Sequence, residues 1–109
     1  MKIDVGSGTR KKVNEELVKL GFRIVRNAKR RTPVDTGRLR SSIHFVDNTG
    51  VLYSPVGDVQ PLKKPSIKGA IRIGTNVKYA EYVEFGTRNQ SAQPFLRPAI
   101  DEEISKLQR

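Results

Sequence analysis

Apolar residues recur three or four positions apart from Thr9 to Arg31, at Val13, Leu17, Leu20, Ile24 and Ala28, with Val18, Gly21 and Val25 widening the stripe. That spacing is the period of an amphipathic helix with one face in a core. Ser7 or Thr9 can cap its start, Glu15 and Glu16 sit early, and Lys29, Arg30 and Arg31 crowd the last turn, where the helix dipole favours cations. Pro33 biases Thr32 away from helical angles and ends the run.

The pattern then changes. Thr32 to Ile43 reads as a shaped connector, in which Asp35 can accept hydrogen bonds from the N–H groups just after it and Gly37 permits a close approach or a positive φ. Ile43, Phe45 and Asp47 alternate with His44 and Val46 as a strand, Asp47-Asn48-Thr49-Gly50 has hairpin turn chemistry, and Val51 to Ser54 forms the return strand. Pro55 to Gly69 carries Pro55, Gly57, Pro61, Lys63, Lys64 and Pro65 without a period, a long loop of the kind that reaches a neighbour or a lumen. Ala70 to Gly74 is a further strand, with Ile71 and Ile73 on one face and Arg72 on the other.

Tyr79, Tyr82, Val83 and Phe85 surround a short helix that Gly86 can terminate, with Glu81 and Glu84 on one side. Pro94, Phe95, Leu96 and Pro98 lead into a C-terminal helix with the stripe Ala99, Ile100, Ile104 and Leu107. The fold expected is α+β: a long N-terminal helix, a small antiparallel sheet made of a hairpin plus at least one more strand, and a short helix and a C-terminal helix packed on that sheet. It forms one domain over 1–109, with residues 1–8 flexible and 55–69 a long loop. No internal repeat is present.

Composition narrows the class. A chain of 109 residues, 36% hydrophobic and 29% charged, supports one globular domain with a thin core. The absence of cysteine removes disulfides, thiolate metal sites and a thiol nucleophile. No apolar run approaches the ~20 residues that span a bilayer, and the N-terminus lacks the apolar stretch of a signal peptide, so a protein that stays in the cytoplasm where it is made is expected. The net charge is +10, distributed as +8 over residues 1–40, +3 over 41–80 and −1 over 81–109. Such a split suits either a polyanion beside the first half or head-to-tail packing of the basic part of one copy on the acidic part of another.

Candidate chemistry is sparse. His44 has neither a second metal ligand nor a nucleophile beside it, and is expected to be solvated or structurally bonded. Glu81 and Glu84, three apart, have no third acidic residue close in sequence. Asp35-Thr36-Gly37 has the letters of an aspartic protease triplet, but it follows a basic helix and precedes Arg38 and Arg40, which would keep a carboxyl ionised. Gly6-Ser7-Gly8 lacks the strand before it and the Lys after it that a phosphate-cradling loop needs. No enzyme, cofactor, metal or small-molecule substrate is therefore expected. Arg10, Lys11, Lys12, Arg23, Arg26, Lys29, Arg30 and Arg31 make a helix rich in phosphate-contacting groups, but with few aromatics to stack on bases any nucleic-acid contact would be blind to sequence.

Two segments, Ala28-Lys29-Arg30-Arg31-Thr32-Pro33-Val34-Asp35-Thr36-Gly37-Arg38-Leu39-Arg40-Ser41-Ser42-Ile43 and Tyr79-Ala80-Glu81-Tyr82-Val83-Glu84-Phe85-Gly86-Thr87, the second followed by Gln93-Pro94-Phe95-Leu96-Arg97-Pro98-Ala99, resemble the tail-component family of tailed phages and prophages. These proteins are also described as head-tail joining or tail-completion proteins. The resemblance implies an α+β subunit of the neck or tail end, located in the virion and assembled in the host cytoplasm as a ring of six copies among other neck and tail proteins. It also allows a monomer until a template is present.

A closed ring needs one face of a subunit to complement a different face of the next. On that basis Glu81, Glu84, Arg88, Asp101, Glu102 and Glu103 are candidate subunit contacts. Lys11, Lys12, Arg30, Arg31, Lys63 and Lys64 are candidates for contact with DNA, the lumen or a partner. Asp35, Gly37, Leu39, Tyr79, Gly86, Pro94, Phe95 and Leu96 are expected to shape the fold. The competing reading is a small basic module that binds nucleic acid without sequence preference.

Overall fold

The computed structural model describes residues 1–6, 14–33, 37–54 and 60–107. The first long helix, α1 (Glu15–Arg31), starts later than its apolar stripe suggests, because Asn14 caps it: the Asn14 side chain accepts from Leu17 N–H at 2.8 Å. Ser7, Thr9, Lys11 and Lys12 lie outside the described residues. The helix stops at Thr32, whose hydroxyl turns back onto the Ala28 carbonyl at 2.7 Å. Leu20, Ile24, Val25 and Ala28 form its buried stripe.

Four antiparallel strands make the sheet: β1 (Lys2–Gly6), β2 (His44–Asp47), β3 (Leu52–Tyr53) and β4 (Ala70–Gly74), in the order β1-β4-β2-β3. The hairpin β2-β3 turns on Asp47. One carboxylate oxygen accepts from Thr49 N–H, the Thr49 hydroxyl and Val51 N–H at 2.7–3.0 Å, while the other accepts from the Tyr53 hydroxyl at 3.1 Å. Burial alone would raise the Asp47 pKa, but these donors outweigh it and hold the carboxyl below its ordinary value.

The N-terminal residues expected to be flexible are instead an edge strand. Register places Ile3 opposite Ile73 and Val5 opposite Ile71 on the α1 side, and Asp4 opposite Arg72 on the other side, where they pair at 2.7 Å. Ladder hydrogen bonds, apolar contacts and that ion pair together order residues 2–6.

The connector after Pro33 contains a short helix, α2 (Gly37–Ser42), that its sequence does not announce. Its anchor is the fully buried Leu39, and the Ser42 hydroxyl meets that of Thr75 at 2.6 Å. Gly37 is not needed for the reason expected. Its φ is not positive, and a Cβ added there would meet nothing within 4 Å. Gly21 is the glycine that matters for packing, since a Cβ on it would lie 2.7 Å from the Phe45 ring. Its absence lets α1 settle onto the sheet.

Two helices complete the chain, α3 (Ala80–Phe85) and α4 (Leu96–Leu107). The core joins α1, α2, the sheet and α4 through Ile24, Leu39, Phe45, Ile71, Ile73, Phe95 and Leu96. α4 packs chiefly along α1. Its stripe is displaced from the expected one, for Glu103 is buried while Leu107 is exposed.

Residues 60–65 contain no helix or strand, yet they pack on the sheet face opposite α1. Leu62 and Pro65 are buried, the Arg72 guanidinium donates to the Lys63 carbonyl at 3.3 Å, and Asn76 donates to the carbonyls of Gln60 and Pro61. This strap meets His44 through the Leu62 N–H, and β2 is buried at all four residues.

Candidate functional site

His44 shows why this strap is structural. Its imidazole is fully buried, with Nδ1 donating to the Ser42 carbonyl at 2.7 Å and Nε2 accepting from Leu62 N–H at 2.9 Å. Both ring nitrogens are engaged, which leaves neither for a metal or a proton relay. Desolvation, with help from Lys29, lowers the His44 pKa against the opposing hydrogen bond to Ser42. Among the described residues no group of three His, Cys, Asp or Glu side chains is placed to hold a metal ion. None of their helices is long and apolar enough to cross a membrane.

The acidic residues expected to meet a neighbouring copy divide into two kinds. Glu84 is only 3% exposed, and it is spent within its own chain. One oxygen accepts from Phe95 N–H at 3.0 Å and Leu96 N–H at 2.9 Å, and the other from Arg97 N–H at 3.2 Å, so the side chain caps α4 from the neighbouring helix. Its candidacy as a subunit contact is overturned by that burial. Glu102 pairs with Arg31 and Lys106. Glu103 accepts from Asn27 at 2.8 Å and Lys106 at 3.2 Å, while Arg31 donates to Asn27 at 2.8 Å. For Glu103, the donors from Asn27 and Lys106 outweigh burial and lower its pKa. This network ties α1 to α4 and removes Glu102, Glu103 and Arg31 from the set of free surface charges. Glu81, Arg88 and Asp101 are exposed.

Several of the fold-shaping candidates fall in and between α3 and α4. Leu39, Phe95 and Leu96 are wholly buried, and Tyr79 packs on the core cluster from the residue before α3. Gly86 ends α3 at φ +78°, where a Cβ would lie 2.7 Å from Ala92 N, so both conformation and space require glycine. Pro94 is exposed just before α4, and Asp35 lies outside the described residues.

Two surfaces stand out in what remains. Phe85 and Tyr82 are 72% and 60% exposed on α3, with Glu81 beside them and Arg88 shortly after. Sequence reasoning noted these aromatics but not their exposure, which a three-residue spacing alone does not reveal. The second surface lies between α1 and β3, around Phe22, which is 48% exposed. Its ring packs edge-on against Phe45 and Tyr53, which stack on each other with centroids 4.5 Å apart. Along α1 the exposed Arg23, Arg26 and Arg30 form no ion pair among the described residues. Lys63 and Lys64 are also exposed, on the strap.

The described surface offers charge and exposed aromatic area. No curated protein and no solved structure matches the chain. The profile of the family described as "Bacteriophage HK97-gp10, putative tail-component" matches residues 2–86, from the first strand through α3 and its terminating glycine. The chain belongs to this family of phage tail components.

Proposed function

We propose that the protein is a structural subunit of the neck or tail end, which takes part in head-tail joining or tail completion as one member of a ring. Family membership over residues 2–86 is the observation that carries this reading. Support comes from the character of its surface: exposed aromatics on α3, an aromatic seam beside α1, and charged groups of opposite sign beside each. A subunit of this kind works by fit, without a catalysed reaction or a bound cofactor. Six copies is the number that the family resemblance implies. Its place of work is the virion, after assembly in the host cytoplasm beside other neck and tail proteins.

The test is an in-frame deletion of the coding region in a phage or prophage that carries it, read by electron microscopy. Separate heads and tails, rejoined when the chain is supplied from a plasmid, are expected. Normal joined particles in the deletion would overturn the proposal.

A second reading is favoured by one observation, the exposed Arg23, Arg26 and Arg30 of α1, which form no ion pair among the described residues. In this reading the face touches the phosphate backbone without reading sequence, whereas Lys63 and Lys64 stand on the strap, across the sheet from α1. Affinity for duplex DNA would then fall with salt at a log–log slope of about −0.9 for each phosphate neutralised. Binding that survives the triple change to Glu at Arg23, Arg26 and Arg30 would exclude this face.

A further inference from the structure

The two surfaces left over by the fold differ in shape as well as in place. The α3 surface projects, because Tyr82 and Phe85 stand three residues apart on a helix and no ring of the described residues stacks on either. The seam between α1 and β3 recedes. It holds one concavity of about 420 Å³ lined by Val18, Lys19, Asp47 and Tyr53, and another of about 350 Å³ lined by Phe22, Val25, Arg26 and Lys29. Within one copy the two surfaces are carried by different elements. Phe22 leans toward the β3 edge, whereas Leu107 lines a pocket with Gly6 of β1, which puts α4 on the opposite flank of α1, and α3 is clamped to the start of α4 through Glu84.

Charge gives the pair of surfaces a direction. Glu81 precedes the aromatic pair along the chain and Arg88 follows it, both exposed. On the seam Glu15 borders the first concavity, while Arg26 and Lys29 border the second. Glu15 and Arg26 are separated by about 16 Å along the helix axis at 1.5 Å per residue, so opposite charges sit at the two ends of the seam.

We infer that Tyr82 and Phe85 of one copy insert into the two concavities of the next copy, Tyr82 beside Arg26 and Lys29 with Glu81 as their counter-charge, and Phe85 beside Val18 and Tyr53 with Arg88 facing Glu15. The inference rests on the reading that copies of this chain assemble with one another. The contact is heterologous, with different patches on the two partners, so repeating it propagates around a ring or along a filament. Aromatic anchors seated in concavities supply the apolar contact, and the flanking charges select register and direction.

The chain contains no cysteine, so pairs can be placed at will. Particles assembled with Asn89→Cys/Lys19→Cys, two exposed positions bordering the proposed contact, are treated with a short bis-maleimide linker. A ladder of covalent multimers is expected from the double variant, and no dimer from either single variant. Particles that hold several copies without a ladder would overturn the contact and leave the ring reading standing. Linkage of Asn89→Cys to itself would mean a symmetric contact and would also overturn it. One copy per particle would remove both readings.

In the same particles Glu81→Lys and Arg26→Glu, each at an exposed site, should each lower incorporation about tenfold, and the double exchange should restore it. Losses that add without rescue would show that these charges do not face each other.

Discussion

Replacing Glu84 by Ala removes a carboxylate that three backbone N–H groups share at the start of α4. An ordinary N-cap loss costs ~0.5–2 kcal/mol, because water takes over the freed donors. Here Phe95 and Leu96 are wholly buried, so two of the three N–H groups are left without a partner, at a cost of about 1–3 kcal/mol each. The side chain itself is also buried, which adds a small cavity where the carboxylate stood. A loss of about 3–4 kcal/mol follows, a large share of the ~5–15 kcal/mol that holds a domain of this size together. With a urea m-value of ~1.5 kcal/mol/M, the unfolding midpoint should fall by about 2 M. Urea titration followed by far-UV circular dichroism reads this directly. Glu84→Gln, which keeps one acceptor oxygen, should lose about half as much, and the exposed Glu81→Ala should stay within ~0.5 kcal/mol of the parent. A midpoint for Glu84→Ala within 0.3 M or so of the parent, with association weakened instead, would refute the cap and return Glu84 to the subunit interface.

Other expectations follow from the same geometry. Gly21→Ala should gain ~1 kcal/mol of helix propensity but force the Phe45 ring out of its stack on Tyr53, a strain of ~1–3 kcal/mol, so a lower melting temperature is expected and a higher one would contradict the close approach. His44 binds its proton more weakly in the folded chain than at its ordinary value of 6.5. Its contribution to stability is therefore complete above that value and is lost as pH falls below it toward the folded pKa, with a slope of no more than about 1.4 kcal/mol per unit. Asp47, Glu102 and Glu103 are held below their ordinary values of 3.8 and 4.5, and so contribute their own acid loss at lower pH. Urea midpoints between pH 7 and 5 should decline in the parent and stay level in His44→Gln; equal slopes would show that another group titrates. Asn27→Leu should cost about 2–4 kcal/mol by leaving the buried Glu103 carboxylate short of a donor, and an unchanged midpoint would mean that Lys106 alone satisfies it.

How far the chain could be read before its structure depended on the range of each cause. The 3.6-residue stripe of α1, the Asp47–Gly50 turn, the alternation of Ile71 and Ile73 and the stop at Gly86 are set by neighbours a few residues apart, and all are legible. The motifs that carry the family resemblance are equally local. Strand β1 was not legible, since five residues ending in Gly acquire order only against β4, 68 positions away for Asp4 and Arg72. The helical turn at Gly37–Ser42 likewise depends on a pocket for Leu39.

The candidate site divides the same way. Sequence spacing places Glu81 and Glu84 on one short helix, but only the docking of α4 against that helix makes one of them a buried cap and leaves the other on the surface. Glu102 and Glu103, adjacent in the chain, are drawn to Arg31 and Asn27 because α4 lies along α1. Apolar periodicity assigns aromatics to the core by default, so the exposure of Tyr82 and Phe85 became visible only with the helices in place. Local order follows from backbone preference and short-range hydrogen bonding, whereas the burial of a charge or the exposure of a ring follows from which distant surfaces meet.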